Sequence, residues 1–410
     1  MKKVINAILC AAAFAALDLA AVSCNGNKNE LGGLTENEKA MKAIAGQYVP
    51  NVIYATYNDL ANESAELYSL LAAAADKGVA SLTQSQLDAI CAKFLQARQS
   101  WEESEAFLFG AATDFGIDPH IDTWPLDVDG LATELSNAEK VEAMKGEDGI
   151  AYAAAKLGQE LLGFHGIEFV LFRDGANRKV ADLQAVENHV AFAGKTVTGE
   201  QELIYAAAVA GDLRDNCYRL IVSWDPDAKA SFKDRCEELE VATTVTGSDL
   251  TYGENLLGAA AAGSSYRTWQ SAMASILVAG CSNICAEVAD VKMGNAHTGE
   301  DVNYIESPYS KKSFQDFIDN ILSIQYTLYG KAGATSAQPN SLMSFFQDQK
   351  YSGAAALESG LQASLAALRT CQQKGAFVDI YADASVQAAM DAISGLDDEI
   401  NKAAAWILLQ

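Results

Sequence analysis

Proline is scarce in this chain, six in 410 residues. Long helices can therefore run without the breaks that a missing N–H and a crowded ring impose. Histidine is scarcer still, with four in all, so each can be weighed singly. Positive charge is also in short supply: 29 Lys and Arg stand against 54 Asp and Glu, a net charge of −25. That balance argues against nucleic-acid recognition by a basic surface. An acidic surface instead favours solubility and raises the local concentration of cations. The common catalytic signatures are missing: there is no HExxH, no GxSxG elbow, no P-loop and no EF-hand loop. No CxxC is present, and the CxxxC of Cys281 and Cys285 is not a zinc knuckle. Beyond the N-terminus no apolar run reaches the length of a spanning helix. No segment shows the period-two alternation and turn spacing of a sheet protein.

What remains reads as helix. Half the residues are hydrophobic, and helical periodicity recurs over 36–76 (bent near Pro50), 83–109, 150–172, 180–193, 200–223, 226–241, 250–262, 265–293, 310–329, 338–349, 353–374 and 385–408. Thr83 with Gln86 forms a capping box at the start of the second segment. Residues 111–130 read as irregular, with Pro119 and Pro125 opposing helix and Trp124 in the middle. A long irregular stretch with a large aromatic often packs over a site. The fold class is all-α, two antiparallel helical bundles in tandem, placed at 36–195 and 196–410. The length suits two domains of ordinary size.

The N-terminus reads as a targeting segment. Lys2 and Lys3 precede an apolar run from Val4, interrupted by Asp18 and ending in Ala21-Val22-Ser23-Cys24. A small residue before Cys, after such a run, is the layout of a lipoprotein signal. Residues 1–23 would be removed, Cys24 lipidated, and 24–35 left as a tether. The expectation is a protein of the bacterial cell envelope, periplasmic or surface-exposed, meeting the membrane by its lipid anchor only. An ordinary secretory signal with a chance Cys is the alternative. Beyond Cys10 and Cys24, the six cysteines from Cys91 to Cys371 read as small buried hydrophobes, although an even number in an exported protein permits disulfides.

The stretch Gly163-Phe164-His165-Gly166-Ile167-Glu168 stands out. His165 and Glu168 are three apart, so a helix places both on one face. That face is apolar, and burying such groups unpaired is costly. Each glycine costs about 1 kcal/mol relative to Ala inside a helix, which points to a close backbone approach. Helical bundles build iron and manganese sites from pairs spaced this way, completed by carboxylates from facing helices. Glu105 is the third ligand candidate. Arg98 and Trp101 share its stripe at i and i+3; with Asp122 and Trp124 they line the expected pocket. This nitrogen and oxygen set suits iron, zinc or manganese. The competing reading is a structural His–Glu bond in the core. His120, His189 and His297 read as surface or turn histidines.

The hexapeptide resembles the GxHxxE motif of the imelysin family. Supporting similarity lies in Trp101-Glu102-Glu103-Ser104-Glu105-Ala106-Phe107-Leu108-Phe109-Gly110, in Ile121-Asp122-Thr123-Trp124-Pro125-Leu126, in Ala289-Asp290-Val291-Lys292-Met293-Gly294 and in Glu306-Ser307-Pro308-Tyr309-Ser310. The resemblance runs from about residue 40 to the C-terminus. It implies a two-domain helical envelope protein, each domain related to a four-helix bundle. It also implies that His165 and Glu168 are the motif residues, at a site near the contact between domains where Ser307 and Tyr309 face it. The family is filed among peptidases, and relatives are associated with iron regulation and uptake. Three functions follow as expectations. The first is binding of a metal ion, iron foremost, or of an iron-linked ligand. The second is a metallopeptidase, with Glu168 as base or ligand. The third is a helical interaction protein whose His–Glu pair orders the core.

Overall fold

Long helices dominate the computed structural model, which describes residues 33–410. Cys24 and the signal 1–23 lie outside the described residues, as does most of the tether. Residues 37–410 form one compact unit. The helices that position the site are α1 (Glu36–Tyr48), α2 (Ala55–Lys77), α3 (Gln84–Glu102), α4 (Gly146–Lys156), α5 (Gly163–Leu171) and α6 (Gly199–Trp224). They are followed by α7 (Trp269–His297), then α8 (Ser313–Tyr329), α9 (Ala354–Lys374) and α10 (Ala384–Ile407). Among the described residues the only strands are β1 (Phe172–Arg173) and β2 (Ala176–Asn177), an antiparallel hairpin after α5. The fold class is all-α.

Each helix buries the face its apolar periodicity marks out. On α2, Leu60, Leu67, Leu71 and Ala74 are buried; on α6 nearly every residue from Leu203 to Leu213 is. These two helices pack along each other, and α6 also covers α4 and α5. The expected domain boundary at 195 lies between α5 and α6, so partners of this layer stand on both sides of it. A second group forms where α10 packs on α9 and α7, and α8 on α9. Helix α8 also lies on α3 and on the 3-10 turn Glu105–Phe107, which packs on the first π turn of α7. The functional candidates sit at that meeting of α3, α5, α7 and α8.

Several expected elements are shorter or broken. The segment 83–109 ends as helix at Glu102, and Glu105 belongs to the separate 3-10 turn. The segment 150–172 is two helices, parted at Leu162, which is extended at φ −109 and ψ 179. In 111–130, Ile117–Ile121 is a short helix containing Pro119; in a first turn the missing N–H has no intrahelical acceptor to lose. Pro50 lies in a π turn, Val49–Tyr54, that joins α1 to α2. Of 180–193 only Val180–Leu183 is α-helical. Helix α7 continues through Gly294 to His297. It is long and apolar enough, by length and composition, to cross a membrane, contrary to expectation, but most of its apolar window is buried within the protein. It is a core helix with two π turns, Ile276–Ser282 and Glu287–Met293. All six cysteines of the described residues are free and buried.

Candidate functional site

The two glycines of the hexapeptide set the geometry. Gly163 opens α5 at φ +66, and a Cβ there would lie 1.8 Å from the Ile121 carbonyl oxygen. A Cβ on Gly166 would lie 2.2 Å from the Tyr205 hydroxyl, which donates to the Leu161 carbonyl at 2.6 Å. Glycine at both positions therefore seats α5 against the 121–122 backbone and against α6. His165 and Glu168 are 2% and 1% exposed. Their ring and carboxylate are 3.7 Å apart, Nδ1 to Oε2, too far for a hydrogen bond. Glu168 Oε1 instead accepts from the Ser310 N–H at 2.7 Å and the Ser310 hydroxyl at 2.6 Å. That loop holds Ser307 and Lys311 at positive φ, 50 and 58.

Around His165 is a buried network of charge. Its Nε2 lies 3.0 Å from Asp122 Oδ1, off the line a hydrogen bond requires, so the nitrogen has no hydrogen-bond partner. Asp122 Oδ2 accepts from Trp101 Nε1 at 2.7 Å. The Arg98 guanidinium pairs with Asp122 and with Glu102 one turn along α3, reaches Glu306 Oε1 at 2.7 Å, and stands 3.8 Å from Asp316. Lys292, 1% exposed on α7, places Nζ 3.1 Å from Glu306 Oε1, 3.5 Å from Glu102 Oε2 and 3.7 Å from Glu105 Oε1. Asn320 donates to Glu102 Oε2 at 2.5 Å, and Ser307 to Asp316 Oδ2 at 2.5 Å. The half-buried Trp124 ring lies 6.2 Å from the His165 ring and 5.5 Å from Tyr304, with Lys292 Nζ 5.2 Å from its centre.

Glu102, Glu105, Asp122, Glu306 and Asp316 thus face two permanent cations, Arg98 and Lys292, with Glu168 beside the one imidazole. Acid exceeds base, and the proton affinities register it. Burial disfavours the charged forms of Glu102, Glu105 and Asp316 and raises their pKa values, against the pull of Arg98 or Lys292. For Asp122 burial acts the same way, but Arg98 and His165 overcome it and hold the carboxyl below its usual range. Burial opposes a charge on His165 too; the carboxylates of Asp122 and Glu168 close to its two ring nitrogens offset it and lift the ring to about 9. Arg98 and Lys292 are held charged by their acidic neighbours in spite of burial. Besides His165 Nε2, the buried oxygens Glu168 Oε2 and Glu306 Oε2 have no hydrogen-bond donor.

Among the described residues, two sets each bring three ligand atoms within 4.8 Å of one another: Asp122, His165 and Glu306, and Glu102, Glu105 and Asp122. Of the expected residues, Arg98, Trp101, Glu105, Asp122, Trp124 and His165 converge. Glu105 and His165 fall in different sets, and Glu168 is turned to Ser310. Ser307 reaches the cluster through Asp316. Tyr309 faces away, edge-on to Phe169 at 5.1 Å, into a pocket of about 650 Å³ shared with Arg173 and His189. On the α8 side, Arg98 and Asp316 line a smaller pocket of about 140 Å³ with Gln99 and Asp319.

Glu102, Lys292, Glu306 and Asp316 were not among the expected site residues, although the first three fall in segments that carry the family resemblance. Glu102 carried a signal, four residues after Arg98 on one helix face; Lys292, a lone cation in an apolar helix, carried a weaker one. Glu306 is in a loop, where no helical spacing marks it. The other histidines are engaged elsewhere. His120 Nε2 is 2.8 Å from Asp212, His189 accepts from the Ala191 N–H, and His297 Nδ1 is 2.7 Å from the Tyr381 carbonyl. His297 also begins a second HxxE spacing, with Glu300, at the end of α7 and outside both ligand sets.

A family model described as Imelysin matches residues 53–403. A protein of Synechococcus elongatus named iron-regulated protein A is 26% identical over 238 residues, 58% of this chain and 51% of that protein. The chain thus spans about half the length of the curated relative it matches. A crystal structure of an iron-regulated protein A precursor from Parabacteroides distasonis is similar at a TM-score of 0.71 and 23% identity, covering 91% of this chain and 96% of that one. An imelysin-like protein from Psychrobacter arcticum is similar at a TM-score of 0.57 and 14% identity, covering 90% and 94%. These two likenesses establish the fold.

Proposed function

The chain belongs to the imelysin family, and from that premise we propose that it is an envelope lipoprotein holding a metal cation in the buried cluster. The observation that carries the reading is an excess of buried acid with ligand atoms left bare: His165 Nε2 and Glu306 Oε2 have no hydrogen-bond partner, and both residues share a ligand set with Asp122. Buried polar atoms without partners are costly, and a cation would offset both the bare atoms and the surplus charge. Asp122, His165 and Glu306 would hold the ion. Glu168, fixed by Ser310 and with its free Oε2 3.7 Å from His165 Nδ1, would orient the imidazole once that gap closes, as outer groups do for a ligating histidine. Trp101 fixes Asp122 in the same way. This replaces the set His165, Glu168 and Glu105 expected from spacing alone.

The donor set fits iron(II), manganese or zinc, and iron is placed first because relatives are named for regulation by iron. A bound ion would supply Lewis acidity. Peptide hydrolysis ranks below binding, since Glu168, the candidate base, already accepts both Ser310 bonds. Cys24 would carry the lipid anchor, and Cys24→Ser should move the protein from the membrane fraction to the soluble one.

Metal analysis tests the central reading. Protein reconstituted with Fe²⁺, Mn²⁺ or Zn²⁺ and freed of excess should retain a stoichiometric ion, and His165→Ala or Glu306→Gln should lose it. Equal, near-zero metal in all three would overturn it. A charge-paired core without metal is the second reading, favoured by the contacts Arg98 and Lys292 already make with the same carboxylates. In that case the substitutions would change stability alone.

A further inference from the structure

Two ligand sets overlap in this centre, and each meets a cationic side chain. The sets share Asp122; His165 and Glu306 complete the first, Glu102 and Glu105 the second. Arg98 pairs with Asp122 and Glu306 of the first, which still leaves His165 Nε2 and Glu306 Oε2 bare. Lys292 projects its ammonium among the carboxylates of the second. Its Nζ is 3.5 Å from Glu102 Oε2, 3.7 Å from Glu105 Oε1 and 3.1 Å from Glu306 Oε1. Those distances exceed the 2.7–2.9 Å of a tight charge-assisted bond. The ammonium donates to Glu306 Oε1 and stands as a point charge before the Glu102 and Glu105 carboxylates. Helical bundles that hold two metal ions use carboxylates from several helices and i, i+3 pairs. Here Glu102 and Glu105, and again His165 and Glu168, are three apart. Glu306 Oε2, fully buried beside the same ammonium, lacks any hydrogen-bond donor. The carboxylate inventory of a two-ion centre is therefore present, with a fixed positive charge inside it.

We propose that the Lys292 ammonium stands in the position of a second metal ion and keeps the centre mononuclear. The proposal rests on the cation-binding reading above. Driving the ammonium out would leave a buried charge unpaired, a strongly unfavourable change, so a second ion cannot compete with it. The centre would hold a single ion and would be closed to chemistry that clamps a substrate between two metals.

Mn²⁺ is the probe. The purified protein and its Lys292→Met variant are each dialysed against Mn²⁺, the bound ion is counted, and electron paramagnetic resonance is recorded. The variant should bind one more Mn²⁺ per chain than the parent. The parent's isolated-ion spectrum should give way to the broadened spectrum of two ions coupled through a shared carboxylate. Lys292→Met with Glu102→Gln should return to the parent's count. If Lys292→Met does not fold, Lys292→Gln, which keeps length and polarity, is read the same way. An unchanged count between parent and both folded single variants overturns the proposal and leaves the one-ion reading standing. Absence of Mn²⁺ from every form overturns both. The parent's own count tests the one-ion reading, and the difference between variant and parent tests this one.

Discussion

Glu168 has one oxygen fully engaged and the other bare, which separates its role from that of His165. Its Oε1 accepts two bonds from Ser310, and bonds to a charged acceptor contribute about 1.5–3 kcal/mol each to stability. Glu168→Gln should therefore destabilise by about 2 kcal/mol, and Ser310→Ala should cost much less in the glutamine background than in the parent. Urea unfolding of the double-mutant cycle measures the coupling, and additive effects would remove the proposed link. The motif glycines make a sharper pair. Gly163→Ala meets both the positive φ and the Ile121 carbonyl, so a loss of at least about 2 kcal/mol is expected. Gly166→Ala meets mainly the Tyr205 hydroxyl. Tyr205→Phe should recover part of its cost, and it should do nothing for Gly163→Ala. At this scale the sequence was informative where chemistry is local: His165 and Glu168 are three apart, and glycine inside an apolar run signals a close approach. Ser310 was not legible as the partner of Glu168, because 142 residues separate them and only the packed fold defines their distance.

Helix α3 presents Arg98, Trp101 and Glu102 on one face, and this placement was readable from i, i+3 and i+4 spacing. The extent of the helix was not. The apolar pattern runs on to Phe109, but the chain tightens into a 3-10 turn at Glu105–Phe107, where tertiary packing against α7 and α8 overrides propensity. Arg98 is the common partner of Asp122, Glu102 and Glu306. Arg98→Met should cost about 3–5 kcal/mol, the usual consequence of leaving buried charge unpaired. Helix α8 supplies a pH-dependent element. Asp319 is 1% exposed and accepts from Gln315 at 2.9 Å; burial, reinforced by Glu103, lifts its pKa to about 8 from 3.8. The folded chain therefore holds a proton that the unfolded chain releases between those values. Stability from this group is fully present below 3.8 and declines as pH rises through about 8, by up to about 1.4 kcal/mol per pH unit. Asp319→Asn should remove that decline, so its stability relative to the parent should rise from pH 5 to pH 8. A constant difference in urea midpoint between the two pH values would contradict this assignment.

Across the whole molecule, composition made the all-α class readable, because few prolines and strong periodicity leave little else. It could not give the assembly, in which α6 lies on α2 while α7, α8 and the 306–310 loop close over the motif from the far end of the chain. The surplus acid at that closure has a consequence for stability. If a cation occupies the cluster, it binds only the folded chain, since the ligands come from residues as distant as Asp122 and Glu306. Such linkage adds RT ln(1 + [L]/Kd), about 2.7 kcal/mol when free ion is a hundredfold above Kd. For a chain of this size that is a rise of a few degrees in Tm. A net charge of −25 would also let any salt stabilise the fold by screening surface repulsion, so Mn²⁺ must be compared with NaCl at equal ionic strength. Screening is shared by His165→Ala, because that substitution leaves the acidic surface untouched; site binding is not. The Mn²⁺-specific rise should appear in the parent and vanish in His165→Ala, while the NaCl response stays the same in both. Equal Mn²⁺ responses in parent and variant would place the effect on the surface and remove the buried cluster as its source.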